Sequence, residues 1–329
     1  MLDKWMMLEF DLAGAEWVVV AYLSQDPNMM EVIRSGKSPH IVTGGLIAGC
    51  SEELVTADHK AVGSNTDPTT IERLRASIGF PQGVFLPRSM SIRQAGKKSN
   101  HGLNYDMRYR RFALENEMLE RDAEPIVTLY RTKAYPRIFD TYHPGIREEL
   151  QKNDRSLKNC FGRKVRLLKE WGPELFMAAY AFKPQSTVFD CVREAMIKSF
   201  EDESLAFKPM RLGAQVHDSL MVNYPVPETR DEWLNAATFV WRLSQEYMRP
   251  ELVYEHVPFR LGCDAKLGIS WGRLKSLPLP PEPDLDLIVT SMHKAYDEAA
   301  ETEKKPEDLV PEDPEWEPMK LDSDLQLEL

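Results

Sequence analysis

Apolar side chains recur along the chain with two different periods, and the switch between them marks the elements. Met7 to Asp11 (MLEFD) reads as a short strand that ends in a small-residue turn, Leu12-Ala13-Gly14. Ala15 to Leu23 (AEWVVVAYL) suits a buried helix, and Asp26-Pro27 is an N-cap followed by Pro at the first helical position, so a second helix runs from there to about Ser35 and stops at Gly36. Residues 50 to 90 read as an irregular, partly helical excursion, and a mostly helical block extends from Met90 to about Gly145. Beyond Phe161-Gly162-Arg163 another helical region covers roughly Gly172 to Glu201. Met210 to Tyr224 (MRLGAQVHDSLMVNY) then reads as two strands separated by a tight His217-Asp218 turn. From 276 onward Pro278, Pro280, Pro281 and Pro283 break regular structure, and the rest reads as an acidic tail in which 286 to 300 can form one short helix.

Length and composition bound the answer: 329 residues with 43% apolar content support one large domain or two ordinary ones. The net charge of −11 is an artefact of averaging, because residues 276 to 329 hold 16 acids and 4 Lys. The first 275 residues hold 37 basic and 36 acidic side chains, which leaves room for a basic groove in the body. Cys50, Cys160, Cys191 and Cys263 lack the paired spacing of a structural zinc site and read as reduced thiols of a cytoplasmic protein. No apolar run approaches the ~20 residues of a membrane span.

Three clusters carry candidate chemistry. Asp11 leaves a strand end, where the strand fixes a carboxylate while the loop opens space for a substrate; Glu16 follows at the start of a helix. Alone, such an Asp is more often a turn former or N-cap than a metal ligand. Arg93, Lys97, His101 and Tyr105 are spaced four apart, which places them on one side of one helix, with two cations and a flat ring suited to a nucleoside triphosphate. Further cations surround them: Arg88, Lys98, Arg108, Arg110 and Arg111. Gln215-Val216-His217-Asp218 stands at a hairpin tip, and its carboxylate becomes a second metal ligand if that tip faces Asp11.

In this order the three clusters resemble motifs A, B and C of family A DNA polymerases: DLAGAE at 11 to 16, R-x₃-K-x₂-N at 93 to 100 followed by His101, Gly102 and Tyr105, and QVHDS at 215 to 219. The resemblance covers most of residues 5 to 275, with supporting matches at His40, at FGRKVRL (161 to 167), at Gln185 and at LGCDAKLGISWG (261 to 272). It implies an α+β right-hand polymerase fold: an antiparallel palm sheet from residues 1–24 (motif A) and 146–275 (motif C), mostly helical fingers from 25–145 (motif B), and a largely disordered acidic tail over 276–329. The implied activity is template-directed transfer of a nucleotide from dNTP to a primer 3′-hydroxyl in DNA replication. It would use two Mg²⁺ ions, with Mn²⁺ as the alternative, held by Asp11, Asp218 and the Leu12 carbonyl. The resemblance assigns Lys97 a catalytic role beside Asp11 and Asp218, and gives the dNTP to Arg93, Lys97, His101, Tyr105 and Glu16. It gives the primer-template to Gln185, His217, Tyr105 and Arg163.

The sequence departs from the family pattern at Ser219, where Glu is usual, at His101, where Phe or Tyr is usual, and at Asp106, where Gly normally follows the Tyr. Glu16 argues for deoxynucleotides against the alternative of a single-subunit RNA polymerase-like enzyme. A non-catalytic nucleic-acid-binding subunit has no need of both Asp11 and Asp218. Ten residues precede Asp11, so thumb and exonuclease are expected to be absent and a separate N-terminal subunit to supply the thumb. The acidic apolar segment from Trp316 to Leu329 is the expected contact for that subunit, a clamp or a helicase. A bacterial cytoplasm with a phage origin is the expected setting, again from the resemblance.

Overall fold

The computed structural model describes residues 4–62, 67–80 and 90–302; Arg88 and residues 303–329, Trp316 included, lie outside them. The first strand, β1 (Trp5–Ala13), is longer than its pattern suggests, and it alternates strictly between half-buried and buried positions. Met6, Leu8, Phe10 and Leu12 are fully buried on one face, which leaves Glu9 and Asp11 on the other. After Gly14, α1 (Ala15–Ser24) and α2 (Pro27–Arg34) follow; the buried Asp26 caps α2 by accepting from the Asn28 and Met29 amides at 2.9 and 3.2 Å. The helical block continues through α3 (Pro39–Ala48), α4 (Glu52–Val62), α5 (Pro68–Ser77), α6 (Ile92–Leu103), α7 (Tyr109–Glu115) and α8 (Glu120–Leu129). Two π-helical turns, Tyr130–Ala134 and Ile138–Tyr142, lead into α9 (His143–Lys152). A small hairpin of β2 (Ser156–Lys158) and β3 (Lys164–Arg166) then precedes α10 (Pro173–Glu201), a single helix of 29 residues.

The expected second hairpin is β4 (Arg211–Val216) and β5 (Ser219–Pro225). It is followed by α11 (Arg230–Arg242), the short pair β6 (Leu252–Tyr254) and β7 (Val257–Phe259), β8 (Gly262–Gly268) and β9 (Lys275–Leu277). Among the described residues one five-stranded antiparallel sheet forms, in the order β4-β5-β1-β8-β9. The buried face of β1 packs on α11 through Phe10 and Phe239, whose rings meet edge to face at 6.1 Å. The fold is α+β, with the helical block beside one open face of the sheet.

Residues 276–302 are ordered where a largely disordered tail was expected, and the one short helix expected there, over 286 to 300, forms as α12 (Leu285–Thr302). β9 completes the sheet edge by pairing Leu277 with Ala265, and α12 buries Ile288, Met292, Ala295 and Ala299. That spacing is one apolar helix stripe, and it docks beside α11, where His293 lies over Trp233 with ring centroids 3.9 Å apart.

Candidate active site

Register brings the two predicted carboxylates together. Asp11 lies opposite Ser219 of β5 on one side and Asp264 of β8 on the other. The Leu12 amide donates to the Asp218 carbonyl at 3.1 Å, which pins the β4–β5 tip against the end of β1. The tip is braced from within: the Ser219 hydroxyl donates to the Val216 carbonyl at 3.0 Å, and the Gln215 amide donates to the His217 carbonyl at 3.3 Å. His217 itself takes a left-handed conformation, φ 53°. The hydroxyl at 219 is thus committed to the turn.

Burial first, then the neighbouring Asp218 carboxylate, push the Asp11 carboxyl up to about 6, partly offset by Lys266. Neither Asp11 nor Asp218 joins an ion pair among the described residues, whereas Glu9, one row back, is neutralised by Lys266 at 2.5 Å. Two hard, unpaired carboxylates brought this close, one of them holding its proton more tightly beside the other, fit a divalent cation. No group of three or more His, Cys, Asp or Glu ligands occurs among the described residues, so a cation here would draw its other ligands from backbone, water or substrate oxygens. The raised pKa has a sign. Asp11 in the folded chain holds its proton more tightly than in the unfolded chain, so stability falls as pH rises from about 3.8 through about 6. In chelator-containing buffer Asp11→Asn should match the wild type in acid and exceed it by about 1 kcal/mol at pH 8, after discounting for solvent screening. Urea melts across that range check it; a difference that does not grow with pH removes the repulsion argument.

Across a cleft of about 740 Å³ from these carboxylates stands α6, which presents Lys97, Asn100 and His101. Glu16, Tyr105, His40, Gln185, Phe189, His217 and Leu12 complete its walls. Most predicted site residues therefore meet in one place, although three sit differently from expectation. Tyr105 is not on the helix face, because α6 ends at Leu103 and Tyr105 lies in the turn beyond it. It is buried, and its hydroxyl donates to Glu16 at 2.5 Å, while burial and then that carboxylate hold its pKa well above the usual tyrosine value. Arg93 lies a turn before Lys97 and does not line the cleft, but with Lys97 and His101 it adds to burial in pushing His40 down to about 4. Arg163 is turned away into a bidentate pair with the fully buried Asp190, at 2.6 to 3.1 Å, which fastens the β2–β3 hairpin to α10.

Asp106 explains one departure. Its φ of 67° is the conformation a glycine adopts freely, and its carboxylate pairs with Arg131 at 2.6 Å. Sequence reasoning missed Phe189, which stands one turn after Gln185 on α10 and was findable from that spacing. It also missed the role of Asn100. This buried amide accepts from Thr43 and Tyr130 at 2.9 and 3.0 Å and donates to the Pro39 carbonyl at 3.2 Å, tying α6 to α3.

No family model matches the chain. It is similar in sequence to the thermostable DNA polymerase I of Thermus filiformis, at 26% identity over 70% of this chain and 24% of that protein. The thermostable DNA polymerase I of Thermus aquaticus is 24% identical over 81% of this chain and 27% of its own length. The chain thus spans about a quarter of the length of these curated relatives. Among solved structures it shares the fold of the POL domain of Pol1 from M. smegmatis, which is in complex with DNA primer-template and dNTP. That likeness has a TM-score of 0.52 at 19% identity and covers 81% of this chain and 40% of the other.

Proposed function

We propose that this chain is the palm and fingers portion of a template-directed DNA polymerase that transfers nucleotides from dNTP to a primer 3′-hydroxyl. The observation that carries the reading is the opposition, across one cleft, of the unpaired Asp11–Asp218 pair and the cationic face of α6. Two Mg²⁺ ions held by Asp11, Asp218 and the Leu12 carbonyl would activate the hydroxyl and offset charge on the triphosphate. Lys97 neutralises the phosphates from the opposite wall, Arg93 one turn before it adds positive charge from outside the cleft, and neither cation is spent on an ion pair among the described residues. Glu16, oriented by the Tyr105 hydroxyl, fills the space where a ribose 2′-hydroxyl would lie. Gln185, Phe189 and His217 line the cleft on the primer side.

Primer extension with dNTPs and, separately, rNTPs tests the reading. Wild-type extension should require dNTP, and Glu16→Ala should raise ribonucleotide incorporation by about tenfold or more. Failure of that variant to relax sugar choice removes Glu16 from the gate.

A separate polypeptide carrying the thumb is part of the same proposal. It is supported by apolar side chains left in solvent where α10 ends: Ile197 is 43%, Phe200 81% and Leu205 72% exposed. Independent elution of the two polypeptides in gel filtration at micromolar concentration would remove it.

A further inference from the structure

The excursion between α3 and α6 is joined to the start of α6 by a set of buried polar contacts. Asp58 of α4 is fully buried, and one carboxylate oxygen accepts from the Ile92 amide, the first of α6, at 2.7 Å. Its other oxygen accepts from the Arg75 side chain of α5 at 3.0 Å, and Arg75 also donates to the Met90 carbonyl, just before α6, at 2.5 Å. His59, the next residue of α4, lies 3.3 Å from the hydroxyl of Ser91, the N-cap of α6. Beneath these polar contacts Val55 and Ile92 share a small apolar cluster with Ala48, separate from the main core. Ser91 and Gln94 already form a complete capping box on this helix. The additional carboxylate therefore goes beyond what helix capping alone needs.

We propose that α4 and α5 act as a clamp on the first turn of α6, and that Asp58 is a positioning residue for the nucleotide site, acting through the register of Arg93 and Lys97. The proposal rests on the reading of α6 as the wall that meets the triphosphate. Asp58 touches no substrate; its carboxylate joins the α6 N-terminus to a cation on α5, so the excursion and the start of α6 move as one body. A one-turn shift of α6 would carry Lys97 out of the cleft, and the clamp is what opposes that shift.

The test combines two readouts on the full chain. In Asp58→Asn, amide exchange in residues 92 to 95 should accelerate while exchange in the β1–β5 pair stays at its wild-type rate. With primer-template present, half-saturation by dNTP should rise about tenfold, with the rate at saturating dNTP and the primer-template affinity unchanged. Arg75→Lys keeps the charge but loses the reach to the Met90 carbonyl, and should shift both readouts in the same direction by less; it decides the matter if Asp58→Asn does not fold. Unchanged exchange at the start of α6 in a folded variant overturns the clamp. A parallel fall in maximal rate and primer-template affinity overturns the positioning role, since it would mark a general loss of structure. Failure of the wild type to bind dNTP at all would instead count against the functional reading, while the exchange arm still decides the clamp.

Discussion

Asp218→Ala should lower nucleotide incorporation by about 10³-fold or more, the scale expected when several kcal/mol of metal-borne charge stabilisation is lost. The fold should survive the change. The hairpin tip is held by the Asp218 backbone carbonyl, which accepts the Leu12 amide at 3.1 Å, and by the Ser219 hydroxyl; neither contact involves the deleted carboxylate. Removal also relieves Asp11 of the second-largest influence that lifts its pKa, so in chelator the variant should be at least as stable as the wild type. Divalent-ion titration should then show weakened binding in a protein that melts normally. Incorporation within about tenfold of the wild type would mean that the carboxylate pair is not the catalytic centre.

The parts of this site that were legible in the sequence are those set by local rules. Alternation exposed Asp11 on a strand, although pairing with β8 carries that strand on to Ala13, and two apolar runs around His217-Asp218 made a hairpin whose tip had to be tight. The 29-residue α10 was readable because nothing inside it except Pro184 interrupts a helix. Where longer-range contacts decide, the pattern misleads. A spacing of four continues arithmetically from His101 to Tyr105, yet Asn104 ends the helix and the left-handed Asp106 turns the chain, so Tyr105 reaches Glu16 instead of sharing a face. The resemblance gave Arg163 to the primer-template, and nothing local showed its partner, because Asp190 lies 27 residues away on another element. Within the proline-rich acidic stretch the helix over 286 to 300 was legible, but its docking was not, because the surface that takes the Ile288, Met292, Ala295 and Ala299 stripe is supplied by distant elements such as α11. The Asp58–Arg75–Ile92 linkage joins three segments, and no single window of sequence contains it.

Gly96→Ala should destabilise the chain more than any other small substitution on α6, because α3 and α6 cross there backbone to backbone. A Cβ at Gly96 would stand 2.2 Å from the His40 carbonyl oxygen, 2.7 Å from the Gly44 nitrogen and 3.0 Å from the Gly44 Cα. All three are main-chain atoms, so no side chain can rotate away and the helices must separate. Overpacking of this kind costs about 3 kcal/mol, or roughly 6–10 °C in melting temperature for a domain of this size. The displacement also moves Lys97, the next residue, relative to Asp11 and Asp218, so dNTP affinity should fall while divalent-ion binding to the sheet carboxylates holds. Gly102→Ala is the control on the same helix. Its Cβ would meet only the Met107 side chain, the Cε at 2.8 Å and the Sδ at 3.0 Å, and a methionine end can swing aside. That variant should lie within about 1 kcal/mol of the wild type, since relief of the glycine's helix penalty offsets the small rearrangement. Equal melting temperatures for the two variants would mean that the α3–α6 crossing is looser than its glycines indicate, and that the wall facing the carboxylates is set elsewhere.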